Sequence, residues 1–247
     1  MSEIIKTEAV VLSKMDYSDT SIIATLFTED YGRLNVIVKG ARSPKSKYGR
    51  IVDPINHLLV VLYKKESREI QLLSSADIID FFPSVKEDLN KLKYAYSTIE
   101  LIKNLLAEHE INKKIFKGCV KILSRLNTGE ELPEITFGRF FNFFLKEIGY
   151  DIQIDNCAIC SKKDFDESVY FNFEKGLICG KCRKSVVDIY DINLELLNYL
   201  KCLKNNESAS SFNNLTYQKA IMFMENHLKY HVPDFKGISS LKLFNER

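Results

Sequence analysis

Two short cysteine motifs constrain the fold of this chain more than any other feature of its sequence. They read CAIC at residues 157–160 and CGKC at residues 179–182, separated by 18 residues. Each CxxC pair can present two thiolates from one tight turn, and two such turns supply the tetrahedral four-sulfur cage that Zn²⁺ accepts. Gly176 and Gly180 suit turns whose backbone bends sharply toward a metal. The spacing predicts one structural Zn²⁺ per chain, held by Cys157, Cys160, Cys179 and Cys182.

Other interpretations of the cysteines remain at this point. A redox role would normally use one CxxC pair in a βαβ setting, which this region lacks, whereas iron in a four-thiolate site is compatible with the spacing. A site closed by four cysteines has no open coordination position, so the metal should be structural rather than catalytic. Five nearby cations are expected to offset the charge of the thiolates, namely Lys162, Lys163, Lys181, Arg183 and Lys184. Cys119 and Cys202 stand alone in apolar helical patterns and are predicted to be buried core thiols.

The first 80 residues have the pattern of a small β-protein. Five runs rich in aliphatic and β-branched residues are separated by polar turn clusters such as DYSD, EDYG and KKES. Five short strands favour a closed or nearly closed barrel, because closure removes aggregation-prone edges. We therefore predict an OB-like barrel over residues 1–80, although the strand count alone does not exclude an SH3-like barrel.

After Pro83 the spacing of apolar residues changes to the three and four of a helix with one buried face. Ser84 and Glu87 have the pattern of a capping box, which predicts that the first long helix begins at Ser84. Further helices are expected over about 113–127, 136–148, 193–204 and 214–230. The fold class predicted is multi-domain α+β: residues 81–247 form a mainly helical domain, with the cysteine motifs in a zinc-ribbon-like insert at about 155–186.

Motifs for catalysis are absent from the sequence. It contains no GxxxxGK[ST] loop, no GxSxG and no HExxH. His227 and His231 have the spacing of a helical metal pair, but the stretch HLKYH has Leu228 where a general base would be needed. We predict no catalytic residues and no enzymatic activity. The N-terminal residues include Glu3, Lys6 and Glu8 where a signal peptide would need an apolar run, which predicts a cytoplasmic protein.

The segment KGARSPKSKYGR, residues 39–50, concentrates positive charge. Net charge is only +2, yet residues 32–52 contain six cations and no acidic residue. Such a run is often only a solvated surface, but loops of OB folds are where nucleic acid binds. Tyr48 could stack on a base or, equally, pack on the barrel. The residues predicted to bind DNA are Arg33, Lys39, Arg42, Lys45, Lys47, Tyr48 and Arg50.

Several segments, in this order along the chain, resemble the RecO family of bacterial recombination mediators. TEAVVLSKMDYSDTSIIATLFTEDYGRLNVIVKGAR is similar to the family's opening, and FPSVKEDLNKLKYAYSTIELI to its first long helix. FFLKEIGYDIQIDNCAIC and GLICGKC resemble the segments that carry its cysteine pairs, and ENHLKYHVPDFKGISSLKLF its closing helix. The chain lacks the proline that family members often have after the Gly-Tyr pair, which concerns only the local loop.

The resemblance implies a non-enzymatic role in DNA repair and recombination. Such proteins bind single- and double-stranded DNA, anneal complementary strands and, with RecR, help to load RecA onto DNA coated by single-stranded-DNA-binding protein. It also implies that the C-terminal tail of that coating protein docks on the helical domain, and that the protein is associated with the bacterial nucleoid. Two alternatives stay open: an OB-fold and zinc-ribbon module that binds RNA or serves transcription, and a metal-dependent enzyme.

Overall fold

The first 80 residues of the computed structural model form the five predicted strands. These close into a barrel in the order β1-β2-β3-β5-β4. The strands are β1 (Glu3–Tyr17), β2 (Ser21–Thr28), β3 (Gly32–Val38), β4 (His57–Lys64) and β5 (Ile70–Asp80). The structure describes residues 3–165 and 168–243.

Period-two patterning explains why these segments form a barrel. In β3 every second side chain is buried, and β2 and β4 follow nearly the same alternation. β1 is long enough to pair with both β2 and β4, and a register shift between Val11 and Ser13 bends it. A parallel pairing of β3 with β5 completes the closure. The interior is filled by aliphatic residues from all five strands, including Ala9, Leu26 and Val60.

The chain folds into two compact units, residues 1–128 with 239–247, and residues 129–238. The first unit adds to the barrel the helices α1 (Tyr48–Ile51), α2 (Pro83–Glu87), α3 (Leu89–Leu105), α4 (Lys113–Thr128) and α8 (Ser239–Leu243). The C-terminal segment packs with this unit. There the Glu100 carboxylate accepts hydrogen bonds from the backbone N–H groups of Ser239 and Ser240, at 2.7 and 2.9 Å. The expected domain boundary near residue 80 falls at the end of β5 and remains a prediction.

The predicted start of the first long helix is wrong. Pro83–Glu87 is a separate short helix, and α3 begins after Asp88, whose carboxylate accepts from the backbone N–H groups of Asn90 and Lys91. A carboxylate at this position satisfies donors that have no partner within the helix, so Asp88 competes successfully with the Ser84 pattern. The other long helices lie where the spacing of apolar residues placed them.

The second unit contains the helices α5 (Pro133–Glu147), α6 (Leu194–Asn205) and α7 (Asn214–His231). Between α5 and α6 lies a three-stranded sheet of β6 (Val169–Asn172), β7 (Gly176–Cys179) and β8 (Tyr190–Ile192), in the order β7-β6-β8. Phe171 of β6 packs on Phe223 of α7, with ring centroids 4.9 Å apart. Among the described helices, none combines the length and the apolar character needed to cross a membrane.

Candidate nucleic-acid interface and metal centre

Residues 39–50, which we call the basic connector, follow β3 and run into α1. Two backbone hydrogen bonds fold its first half into consecutive turns. The N–H of Ser43 donates to the carbonyl of Gly40, and the N–H of Ser46 donates to the carbonyl of Ser43. The stretch is not a loop throughout, because Tyr48–Ile51 at its end forms one helical turn. That turn packs partly against the barrel core through Tyr48 and Ile51.

The basic connector has an apolar side and a cationic side. Its residue Ala41 is buried in the barrel core, as is Val52 just after it, and Ile51 packs partly against the same core. Its cations are all exposed to solvent, and they are Lys39, Arg42, Lys45, Lys47 and Arg50. Burial of the apolar side fixes the segment, so the five charges are displayed on an anchored backbone and need not be ordered on binding.

Arg42 is the most constrained of these cations. Its backbone N–H donates to the carbonyl of Thr20, and its guanidinium donates to the carbonyl of Ser18 at 2.8 Å. The same guanidinium lies 3.3 Å from a carboxylate oxygen of Asp16. Arg42 thus ties the basic connector to the turn between β1 and β2, and two of its five guanidinium donors are already engaged by the protein.

Arg33 is not brought together with the other predicted DNA-binding residues. It lies near the start of β3, whereas the basic connector begins after the end of this strand, about 20 Å away at ~3.3 Å per residue. Its guanidinium donates to the backbone carbonyl of Lys103 in the last turn of α3. A cation at a helix C-terminus stabilises the unpaired carbonyls there, so the position gives Arg33 a structural role.

Tyr48 and Tyr17 differ in what their rings can contact. Tyr48 is half-buried against the barrel core, with the Lys47 ammonium 5.8 Å from its ring centroid. Tyr17, the last residue of β1, is 48% exposed beside the turn that holds Arg42. In the sequence Tyr17 lies within the polar cluster DYSD, which predicted only a turn. An aromatic residue at the end of a strand, next to a turn, was the signal that could have identified it.

The four motif cysteines converge on one point in the second unit. Their sulfur atoms all lie within 4.8 Å of one another. The sulfurs of Cys160 and Cys179 are 3.7 Å apart, close to the ~3.8 Å expected for two ligands ~2.3 Å from a tetrahedral metal. A disulfide would need ~2.05 Å. The arrangement favours a four-thiolate metal site over two separate redox pairs.

Local backbone structure positions these sulfurs. The backbone N–H of Ala158 donates to the carbonyl of Leu177 at 2.7 Å, which joins the first cysteine turn to β7. Gly176 begins β7 with a φ of +102°, a conformation that L side chains rarely adopt. Cys182 lies in the 3₁₀ helix Gly180–Ser185, which follows directly after Cys179.

Backbone donors and neighbouring sulfurs shift the cysteine pKa values in opposite directions. Burial raises the pKa of Cys157, but the N–H groups of Cys179, Cys160 and Ile159 donate to its sulfur and lower the pKa to about 6. Hydrogen bonding to the Cys179 sulfur, together with burial, raises the pKa of Cys182 to about 12. Metal binding therefore has to displace a proton from Cys182, because the ligand form of cysteine is the thiolate.

The remaining motif residues are accounted for by packing. Cys119 is fully buried, as predicted, and burial raises the pKa of its thiol to about 12. Cys202 is only partly buried, so the same prediction is wrong for it. His227 is buried and its Nε2 lies 3.2 Å from the carbonyl oxygen of Tyr150, while its ring packs against His231. Packing within the second unit therefore explains this histidine pair.

Family models match most of the chain. One described as recombination protein O N terminal matches residues 1–82, and one described as recombination protein O C terminal matches residues 86–237. These matches favour a DNA repair protein over an RNA-binding or transcription-associated module.

Individual proteins named DNA repair protein RecO are also similar to this chain. That of Chlorobium limicola is 36% identical over 63% of this chain and 59% of its own length, and that of Geobacter metallireducens is 35% identical over 63% and 62%. The alignments thus span about three fifths of these two relatives. That of Chlorobium phaeobacteroides is 29% identical over 96% of this chain and 97% of its own length.

Proposed function

Because this chain belongs to the recombination protein O family, we propose that it is a non-enzymatic DNA repair protein that holds DNA on its basic connector. It binds single- and double-stranded DNA and anneals complementary strands. With RecR it helps to load RecA onto DNA that is coated by single-stranded-DNA-binding protein. It does so in the bacterial cytoplasm, associated with the nucleoid.

The observation that carries the DNA-binding proposal is the display of five exposed cations on one anchored segment that contains no acidic residue. Contacts between such cations and phosphates release counterions and carry no sequence information. Binding should therefore tolerate any sequence and weaken as salt is added. Both properties suit a protein that must act wherever a single-stranded gap arises.

We assign the barrel to the OB-like class. The support is its strand order, β1-β2-β3-β5-β4, with β3 and β5 parallel and all other neighbours antiparallel. OB folds bind nucleic acid on one sheet face and on the adjoining loops, among them the loop between the first two strands. The basic connector is hydrogen-bonded to that loop, because the backbone N–H of Arg42 donates to the carbonyl of Thr20. Tyr17 lies at the same place and is the exposed ring on which a base would stack.

Annealing follows from the same contacts. Cations on phosphates screen the repulsion between two strands, and they leave the pairing edges of the bases free. No bond is made or broken by the protein, so no catalytic group is required. The contribution of the protein is to raise the encounter rate of complementary strands and to hold them until pairing begins.

The four cysteines hold one structural Zn²⁺ in this proposal. Thiolate ligands at these separations suit a tetrahedral ion, and four of them leave no position for a substrate or for water. The ion fixes the two cysteine turns and, through them, the three-stranded sheet. The helical region carries the surface for the tail of the single-stranded-DNA-binding protein.

Charge reversal on the basic connector tests the DNA-binding proposal. The variant replaces Lys39, Lys45, Lys47 and Arg50 with Glu and leaves Arg42 in place, because Arg42 also holds the connector to the barrel. We expect DNA affinity to fall by at least tenfold near 0.1 M salt, since about four phosphate contacts are lost. Annealing of complementary oligonucleotides should slow in proportion.

The matched control carries Lys219→Glu and Lys236→Glu, which reverse two exposed cations of the second unit. It should bind and anneal like the native chain. Normal affinity and annealing in a folded connector variant would contradict the proposal. The mediator role is tested separately, by capture of single-stranded-DNA-binding protein with and without its last residues. Capture should require those residues.

A further inference from the structure

Helix α4 differs from the other long helices of the chain in its charges. It contains the five cations Lys113, Lys114, Lys117, Lys121 and Arg125 and no acidic residue. Each of the other described helices longer than eight residues, α3, α5, α6 and α7, contains at least one glutamate. The strongest segregation of positive charge on a helix therefore lies outside the basic connector.

Four of these cations form a regular row, which we call the α4 stripe. Lys113, Lys117, Lys121 and Arg125 are spaced four residues apart and all are exposed. Side chains four apart lie on one helix face, so the stripe extends over about 18 Å at ~1.5 Å per residue. Like charges at this spacing destabilise a helix, and an anion placed along the stripe would relieve that repulsion.

The two ends of the α4 stripe differ in their partners. Lys113 donates to Asp30 at 2.6 Å, and Lys117 lies 3.7 Å from Glu29, both in the turn between β2 and β3. Lys121 and Arg125 have no ion pair among the residues that the structure describes. They border a shallow depression of about 450 Å³, next to Ser124. Glu8, which also lines it, is already paired with His57 at 2.9 Å.

The opposite face of α4 rules out one use of a basic amphipathic helix. Its apolar residues are buried in the first unit, and they are Ile115, Phe116, Cys119, Ile122, Leu123 and Leu126. A helix that lies on a membrane needs its apolar face free for the lipid. The exposed face offers no large apolar side chain either, whereas the centre of a protein interface is depleted in lysine. The phosphates of nucleic acid fit a surface that offers charge alone.

We infer that the α4 stripe, with Lys121 and Arg125 at its open end, is a second binding site for the phosphate backbone of nucleic acid. This rests on the proposed function of the chain. The stripe begins at the β2–β3 turn, whereas the basic connector begins after the far end of β3, about 20 Å away at ~3.3 Å per residue. The first unit therefore has two separate cationic surfaces, which can hold two strands or two parts of one strand.

The test compares charge reversals at the two surfaces. One variant carries Lys121→Glu and Arg125→Glu, a second carries Lys45→Glu and Lys47→Glu on the basic connector, and the control is Lys219→Glu with Lys236→Glu. Affinity for a 30-nucleotide oligothymidine is measured by fluorescence anisotropy over a series of salt concentrations. The α4 variant should bind roughly tenfold more weakly near 0.1 M salt, and its slope of log K against log salt should be shallower by about 1.4, at ~0.7 per lost contact.

A milder variant carries Lys121→Gln and Arg125→Gln. Its slope should become shallower by the same amount, but its affinity should fall less, because the contacts are removed without added repulsion. Native affinity and slope in both α4 variants, with weakened binding in the connector variant, would overturn this inference and leave the proposed function intact. Absence of binding by the native chain would overturn both. If the α4 variants lost binding to a poly-glutamate peptide and kept native DNA affinity, the stripe would be a site for an acidic protein partner. That result would also overturn the inference.

Discussion

The five-stranded barrel and the three-stranded cysteine sheet are both built from short β-strands, but different interactions stabilise them. The barrel closes on itself and buries sixteen residues in one apolar cluster. The strands of the cysteine sheet have four, four and three residues, and four sulfurs lie where a larger domain would have apolar side chains. Small folds with little core usually depend on metals or disulfides.

This difference separates stability from binding in the two regions. In the first unit the barrel has its own apolar core, and the exposed cations of the basic connector and of the α4 stripe lie on the surface. In the second unit several ionisable groups take part in packing instead, namely the four clustered cysteines and the buried His227.

Removal of the metal should unfold part of the second unit and leave the barrel intact. Structural Zn²⁺ sites in small folds contribute about 10–16 kcal/mol of binding free energy. We therefore expect a strong chelator to abolish protection from hydrogen exchange between about residues 152 and 192, with no change in β1–β5. Cys157→Ser should behave like the chelated protein, and Cys202→Ser, outside the cluster, should retain the metal. Equal loss of protection in the barrel would contradict the view that the metal stabilises only the cysteine sheet.

Core truncation in the barrel should be costly whether or not metal is present. Ile5 and Ile4 are neighbours on β1 with 3% and 65% exposure, so they form a matched pair. Ile5→Ala should lower the free energy of unfolding by about 2–5 kcal/mol, and Ile4→Ala by less than ~0.5 kcal/mol. Urea unfolding of the barrel, with and without chelator, measures both. A dependence of either value on metal would show that the two regions are coupled.

Acid should weaken the second unit through His227. Burial, and then the charge of His231, lower the pKa of His227 from 6.5 to about 4. The folded state thus binds fewer protons than the unfolded state, so its stability is complete above pH 6.5 and is lost as the pH falls toward 4. The loss attributable to this residue should reach about 2 kcal/mol at pH 5.

The His227→Phe variant isolates this effect, because release of metal by acid is common to both proteins. The difference in unfolding free energy between pH 7 and pH 5 should be smaller in the variant than in the native chain. The exposed His109, replaced by Gln, is the control and should leave the difference unchanged. An equal pH dependence in native and His227→Phe proteins would assign the acid sensitivity to other groups.

Replacement of Tyr17 should affect DNA binding without affecting the fold. Stacking of a base on an exposed ring contributes ~1–3 kcal/mol, and we expect about 1 kcal/mol for Tyr17→Ala because half of the side chain is already covered. Tyr48→Ala should instead lower the stability of the barrel, since its ring packs on the core. Unchanged affinity in Tyr17→Ala, with loss in a stable Tyr48→Ala protein, would reverse these two roles.

The periodicity of the sequence predicted the features that depend on local pattern. Alternating aliphatic residues predicted the five strands, and spacings of three and four predicted the long helices. The two CxxC motifs predicted that the four sulfurs converge. Each of these signals lies within one short segment. The strand count could not show which strands are neighbours, and the parallel pairing of β3 with β5 joins segments more than thirty residues apart.

Features that arise from competition between neighbouring residues were less predictable. Ser84 had the pattern of a helix cap, but Asp88 performs that role for α3. Arg33 shared a charge cluster with Arg42 in the sequence, yet β3 separates them and the carbonyl of Lys103 engages Arg33. The α4 stripe was not identified, because its charges are interrupted by apolar residues in the sequence and become continuous only on one face of the helix.

The central claim is that exposed cations of the basic connector hold phosphates electrostatically. The most direct measurement is the slope of log K against log salt for oligothymidine, in the native chain and in the variant reversed at Lys39, Lys45, Lys47 and Arg50. Loss of about four contacts at ~0.7 each should make the slope shallower by about 3. An identical slope in a folded variant, or no binding by the native chain at low ionic strength, would contradict the account.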